Sequence, residues 1–358
     1  MLEKIQRILE LTKTILQDCS LENGGIVAAN SSKHYYPVTA KNYFYVWPRD
    51  ASFACIAADI LGLRNIQENY FDWCMNNAEG FDNHGLFYEK YHPNGLKASD
   101  RFQPDQTGAV LFAIWHYLNR HQFSKRESKY DDLIRNMANG ICSVWEKGHF
   151  LHNSYDLWEE RICFPDLHEN FTYSMASCIR GLQCANELIP NSTWLQVSHE
   201  MKSRLDEHFL DFFIRSYGDL PDTRIDASVL GLVYPFGIYD PLDERIIASI
   251  HELEDKLSIH GGIHRYEHDE YDGWMLDGEH RKKGAGAWPI LNFWLSIYFQ
   301  RAGKQEKAKY YYTWVLDRIK EDNLIPEQIF ENDIQVSVSP LLWSHAMFVI
   351  ASEELKFL

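Results

Sequence analysis

The sequence predicts an all-α fold, a closed ring of six helical hairpins forming an (α/α)6 toroid across residues 1–358. Three observations predict it. Apolar residues recur with helical period along nearly the whole chain. Two kinds of helix alternate, one with a charged face and one apolar on almost every side. The apolar kind recurs six times at intervals of 52 to 63 residues, enough for an outgoing helix, a returning helix and two loops.

The amphipathic kind is read in "LEKIQRILELTKTIL", "YDDLIRNMANGICSVWEK", "STWLQVSHEMKSRLDEHFLDFF" and "DERIIASIHELEDKL". The apolar kind is "ASFACIAADILGL", "TGAVLFAIWHYL", "FTYSMASCIRGLQCANEL", "ASVLGLVYPFGI", "WPILNFWLSIYFQ" and "PLLWSHAMFVIAS", starting near Asp50, Asp105, His168, Asp226, Trp288 and Pro340. A helix apolar all round belongs in an interior. An open array of such pairs needs atypical capping repeats at its ends; none is seen, so the ring closes. Strand content is expected to be small, in loops such as "ENGGIVAANSS" and "GGIHRYEHDEYDGW".

Composition excludes several classes. A net charge of −16, with no basic cluster longer than "HRKKG", removes the positive footprint that a nucleic-acid partner needs. The N-terminal stretch interleaves charges at helical spacing, so it reads as neither a signal peptide nor a membrane span. Seven cysteines without a C-x-x-C pair point to a reduced, cytoplasmic chain and no metal site. His264 and His268 in "HRYEHDEYDG" lack a third ligand at suitable spacing. Aromatic residues reach 14%, more than a core requires, and flat rings with a polar tip suit carbohydrate surfaces.

The chemistry-bearing motifs stand just ahead of the apolar helices: "YVWPRD", "FQPDQTG", "DLWEER", "TRID", "GAGAWP" and "PEQIFENDIQVSVSP". With parallel inner helices they meet at one mouth, where helix N-termini turn positive dipole ends toward a ligand. "DLWEER" alone reads equally as a solvated acidic turn. Asp105 and Asp226 read as helix caps, and Asp156 as a loop or cap residue. Cleaving a glycosidic bond takes one carboxylic acid to protonate the leaving oxygen and one carboxylate facing it. Units three and six of a ring face each other, offering Asp156, Glu159 and Glu160 on one wall and Glu327 on the other. Charge alone does not select a pair from 51 acidic residues.

"YFYVWPRDASF", then "DLWEER", "GGIHRY", "PEQ" and "SPLLWSHA", resemble in order and spacing the glucoamylase family, glycoside hydrolase family 15, from about Gly24 to Ala351. The resemblance implies an (α/α)6 catalytic domain that inverts configuration and releases β-glucose from the non-reducing ends of α-glucosides. It implies Glu159 as general acid and Glu327 as general base. Arg49 and Asp50 match the pair gripping hydroxyls at the closed end, and Tyr43, Trp47, Trp158 and Trp343 match pocket walls. Glu160 and Arg265 match further hydroxyl contacts, and Gln328 a support behind the base. No cofactor is implied; the partner is a small oligosaccharide.

The general acid must be protonated when substrate arrives, and burial by Trp158 and charge on Glu160 are expected to raise its pKa. No N-terminal β-sandwich or starch-binding module is read, pointing to short soluble α-1,4- or α-1,6-linked gluco-oligosaccharides. Trehalose hydrolysis and a non-catalytic, sugar-sensing toroid are the alternatives. Terpene cyclases and unsaturated-glucuronide hydrolases fit less well, lacking an Asp-rich acid motif and a basic group in place of Asp50 respectively. Segments 84–103 and 272–286 are the expected selectivity loops.

Overall fold

The computed structural model describes residues 1–121, 129–273, 275, 282–332 and 334–358. The second expected selectivity loop therefore lies partly outside the described residues. The helices are α1 (Leu2–Cys19), α2 (Pro48–Ile60), α3 (Arg64–Asn76), the single turn α4 (Phe81–His84), α5 (Pro104–Arg120) and α6 (Asp131–Ser143). They continue with α7 (Thr172–Leu188), α8 (Ser192–Asp206), α9 (Glu244–Leu257), α10 (Pro289–Arg301), α11 (Gln305–Arg318) and α12 (Leu342–Glu354).

The inner ring closes as predicted. α2 packs on α5, α5 on α7, α7 on the segment Ala227–Leu232, that segment on α10, α10 on α12, and α12 back on α2. Outer helices α1, α3, α6, α8, α9 and α11 alternate with the inner elements in sequence. α3 and α11 fall outside the four amphipathic segments read above. Half of each buried stripe is Tyr, Phe or Trp, whose mixed polarity blurs the period. The α5–α7 crossing is close enough that a Cβ on Gly108 would lie 2.4 Å from the Ser177 carbonyl oxygen.

The fourth inner element departs from the expected helix. It is a six-residue 3-10 turn, Ala227–Leu232. Pro235 sets the limit: in an α-helix its ring would strike the carbonyl of Gly231, and it has no N–H to donate. The third inner helix begins at Thr172 rather than near His168, because Asn170–Phe171 pairs with Ser216–Tyr217. Strands are two residues long and lie in the loops. Gly262–Ile263 falls in an expected segment, whereas "ENGGIVAANSS" contributes only an isolated bridge from Ile26 to Ser20.

Proline shapes the mouth. Pro48, Pro104 and Pro289 each open an inner helix, where a fixed φ suits the first turn. A residue before proline is driven to extended backbone, as found for Trp47, Gln103 and Trp288. The pre-helix segments are then laced together by main-chain hydrogen bonds: Tyr155 N–H to Phe102 O (2.9 Å), Ala227 N–H to Arg265 O (2.7 Å), Ala287 N–H to Ile329 O (2.9 Å) and Leu342 N–H to Ala28 O (2.9 Å). None of the described helices is long and apolar enough to cross a membrane.

Candidate active site

The turn "DLWEER" is the loop of a small hairpin, Ser154–Tyr155 paired with Ile162–Cys163. Asp156 builds it. Its Oδ1 accepts the backbone N–H groups of Glu160 (2.8 Å) and Arg161 (2.9 Å), and its Oδ2 pairs with the buried Arg215 guanidinium. The turn leaves Glu159 at φ +64°, a left-handed conformation that costs a non-glycine residue about 1–3 kcal/mol and concentrates at functional sites. Asp156→Ala strips both caps and one partner of a buried ion pair. It is expected to destabilise the fold by about 3–5 kcal/mol in denaturant titration and to lower turnover as well; a loss under about 1 kcal/mol would show that the turn holds without it.

All ten residues singled out from the sequence line one cavity of about 530 Å³: Tyr43, Trp47, Arg49, Asp50, Trp158, Glu159, Glu160, Arg265, Glu327 and Trp343. Burial grades along it. Arg49 and Asp50 are buried, and the Arg49 guanidinium lies 4.9 Å from the Trp343 ring centre, whereas Glu160 and Arg101 are exposed. The deep end is thus an Arg–Asp pair over an indole. Arg49 also bonds Asp105 Oδ2 at 3.1 Å, so Asp105 is its buried counter-ion and not a helix cap. Asp226 does cap, accepting from Ser228 N–H at 2.8 Å, and also receives the Trp158 indole N–H at 3.0 Å.

Glu159 Oε1 accepts the Trp47 indole N–H at 2.7 Å, and Lys90 Nζ stands 3.8 Å from its Oε2. Burial in the pocket raises its pKa above the ordinary carboxylate range, and the charge of Glu89 adds to the rise. Glu160, expected to add to the rise, is not among its largest causes; its Oε1 accepts from Arg265 (2.7 Å) and its Oε2 from the Tyr266 hydroxyl. Arg265 is itself fixed by two 2.7 Å bonds to Asp269.

Glu327 enters from the sixth unit, its N–H bonded to Val338 O at 2.8 Å. Its Oε1 accepts the Tyr43 hydroxyl at 2.8 Å, while Oε2 is buried with no hydrogen-bond partner among the described residues. Burial pushes its pKa up to about 7, against the hydrogen bond from Tyr43 and the charges of Arg265 and Lys41. Gln328, next to it, accepts Gly286 N–H at 2.9 Å and holds the adjoining wall.

Sequence reasoning missed Lys41, Tyr271 and Trp288 as lining groups and named Glu89, Lys90, Ser99 and Arg101 only as part of the 84–103 loop. The position of Trp288 before Pro289, like that of Trp47 before Pro48, was a usable signal. Tyr271 carries none; its hydroxyl meets that of Tyr43 at 3.2 Å only through folding.

Two carboxylates on opposite units of a toroid, both lining one pocket and both pushed by burial above the ordinary carboxylate range, are an arrangement suited to hydrolysing a glycosidic bond. The chain belongs to glycosyl hydrolases family 15, whose family model matches residues 6–353. An uncharacterised glycosyl hydrolase of Methanocaldococcus jannaschii is 31% identical over 98% of this chain, which spans 56% of that relative's length. The isomaltose glucohydrolase of Kribbella flavida is 23% identical over 88% of this chain and 85% of its own. A trehalase of Mycobacterium tuberculosis is 26% identical over 80% and 45% respectively. Among solved structures, a glycosidase variant in complex with glucose superposes with a TM-score of 0.82 at 19% identity, over 100% of this chain and 98% of the other.

Proposed function

We propose that the protein is an inverting, exo-acting α-glucosidase that releases β-glucose from the non-reducing ends of short α-1,4- or α-1,6-linked gluco-oligosaccharides. One observation carries the reading: Glu159 and Glu327 share a cavity whose buried end is the Arg49–Asp50 pair over Trp343. A terminal glucose enters until its hydroxyls meet that pair, so only a chain end fits. The carboxyl proton of Glu159 passes to the glycosidic oxygen as the bond from that oxygen to C1 breaks. A water held at Glu327 Oε2 attacks C1 from the opposite face and gives its proton to Glu327. The Trp47 N–H steadies Glu159, and the Tyr43 hydroxyl steadies Glu327, through the transfer.

The glucohydrolase relative supports an isomaltose-type substrate, and the trehalase relative supports trehalose as the second reading. Proton NMR of the protein with maltose, isomaltose and trehalose in separate samples tests both. Initial β-glucose from maltose or isomaltose is the expected result. Turnover of trehalose alone, yielding α- and β-glucose in equal amounts, would favour the second reading, and initial glucose from maltose or isomaltose richer in the α anomer than their own reducing ends would overturn inversion and the role of Glu327.

A further inference from the structure

Glu89 lies at the rim of the cavity on the 84–103 loop, yet its side chain is only 1% exposed. Its Oε1 is 2.7 Å from Lys90 Nζ, and its Oε2 accepts the Ser99 hydroxyl at 3.1 Å and lies 3.5 Å from Arg101. Lys90 Nζ is held at once 4.9 Å from the centre of the Trp47 ring and 3.8 Å from Glu159 Oε2. Trp47 in turn donates to the other oxygen of Glu159. A buried carboxylate thus fixes a lysine against both the acid and the indole that orients it.

We propose that Glu89 is a positioning residue for the acid, which neutralises Lys90 and sets a second negative charge beside Glu159 so that the proton stays on Glu159 until substrate is bound. The inference rests on the catalytic role given to Glu159 above. Other charged groups around that carboxyl do not substitute for Glu89. Arg49, from the start of α2, favours its ionised form, Arg101 bonds only its backbone oxygen at 3.3 Å, and Glu160 is engaged by Arg265. Tyr271, facing from the 265–273 segment, is neutral at working pH because burial holds its hydroxyl proton. Without Glu89 the one negative charge that offsets Lys90 beside Glu159 is gone, and that change favours ionisation. Without Lys90 the sign reverses.

Opposite shifts from adjacent residues are the test, because general damage to the fold cannot produce them. Glu89→Gln should move the descending limb of kcat/KM down by about one pH unit or more, Lys90→Met should move it up, and Glu89→Asp should stay close to the unsubstituted protein. The ascending limb, governed by Glu327, should not move. Carbon-13 NMR titration of the Glu159 carboxyl, assigned against Glu159→Gln, reads the same change directly. It tests the inference even where no glucoside turns over, an outcome that would overturn the proposed function instead. If Glu89→Gln does not fold alone, Glu89→Gln on the Lys90→Met background, where no lysine is left unpaired, replaces it, and its limb should lie below that of Lys90→Met. Limbs and carboxyl titrations that stay in place, or that move in the same direction in both variants, would overturn the role of Glu89.

Discussion

Glu159→Gln is expected to lower kcat on a disaccharide by about two to four orders of magnitude, the usual worth of a positioned general acid. The substituted amide keeps the volume, and its oxygen still accepts the Trp47 N–H that Glu159 Oε1 accepts at 2.7 Å. The left-handed backbone at this position is no harder for Gln than for Glu. What disappears is the proton for the leaving oxygen. The loss should therefore follow the leaving group: α-glucosyl fluoride, whose fluoride departs without protonation, should be hydrolysed within about tenfold of the unsubstituted rate. The descending limb of the pH profile should vanish with it. Unchanged turnover on the best disaccharide, or an equal loss on the fluoride, would remove Glu159 from the acid role.

Glu327→Gln is expected to cost as much in turnover, about two to four orders of magnitude, and on the fluoride as well, because water must still be activated. It should also stabilise the protein, in a pH-dependent way. Burial raises the folded-state pKa of Glu327 from an ordinary 4.5 to about 7. A carboxyl that binds its proton more tightly when folded stabilises the fold at low pH, and that contribution is lost as pH rises from about 4.5 through 7. Above that window the protein holds a buried charge at a cost of up to about 3 kcal/mol. Gln carries no such charge, so Tm should rise by about 2–5 °C at pH 8 and stay level at pH 4. A variant with lower Tm at pH 8 would show that the ionised carboxylate is well solvated by the pocket. The same ionisation sets the ascending limb of activity, which should lie near neutrality, not at the 4 to 5 typical of exposed carboxylates.

Such a gain in stability on disarming a site is the usual sign that a site holds unfavourable charge for the sake of its chemistry. Two further features agree: Glu159 occupies a left-handed backbone conformation, and Glu327 Oε2 is buried without a hydrogen-bond partner among the described residues. The Arg49 pairing shows the complementary economy. Its guanidinium is buried, and Asp50 and Asp105 neutralise it from two inner helices. Either carboxylate alone would leave the closed end of the pocket with a different charge to present to a sugar hydroxyl.

The ring itself was legible in the sequence because its cause is periodic. Six apolar helices at near-constant spacing cannot all be surface helices, and closing them on one another hides them at once. The rim was partly legible for a similar reason: Trp47 precedes a proline that ends an extended segment and starts a helix, and the same signal at Trp288 went unused. The fourth inner element was misjudged because apolar composition outweighed Pro235, which forbids the helix whatever surrounds it. α3 and α11 were missed because tyrosine and tryptophan bury as apolar residues yet count as polar in a pattern.

The carboxylates proposed as acid and base were nameable only through ordered motifs, and their environments not at all. That Lys90, paired with Glu89, stands beside Glu159, that Asp105 serves Arg49 instead of its own helix, and that Tyr43 and Tyr271 meet over Glu327 are facts of proximity between distant segments. The sequence alone determined which residues lie inside and in what order the six units follow. Tertiary structure decided which charges face one another. Periodicity and proline act within a few residues of chain, whereas a carboxylate's proton affinity depends on burial and on neighbours within a few ångströms, and only the closed ring brings those together.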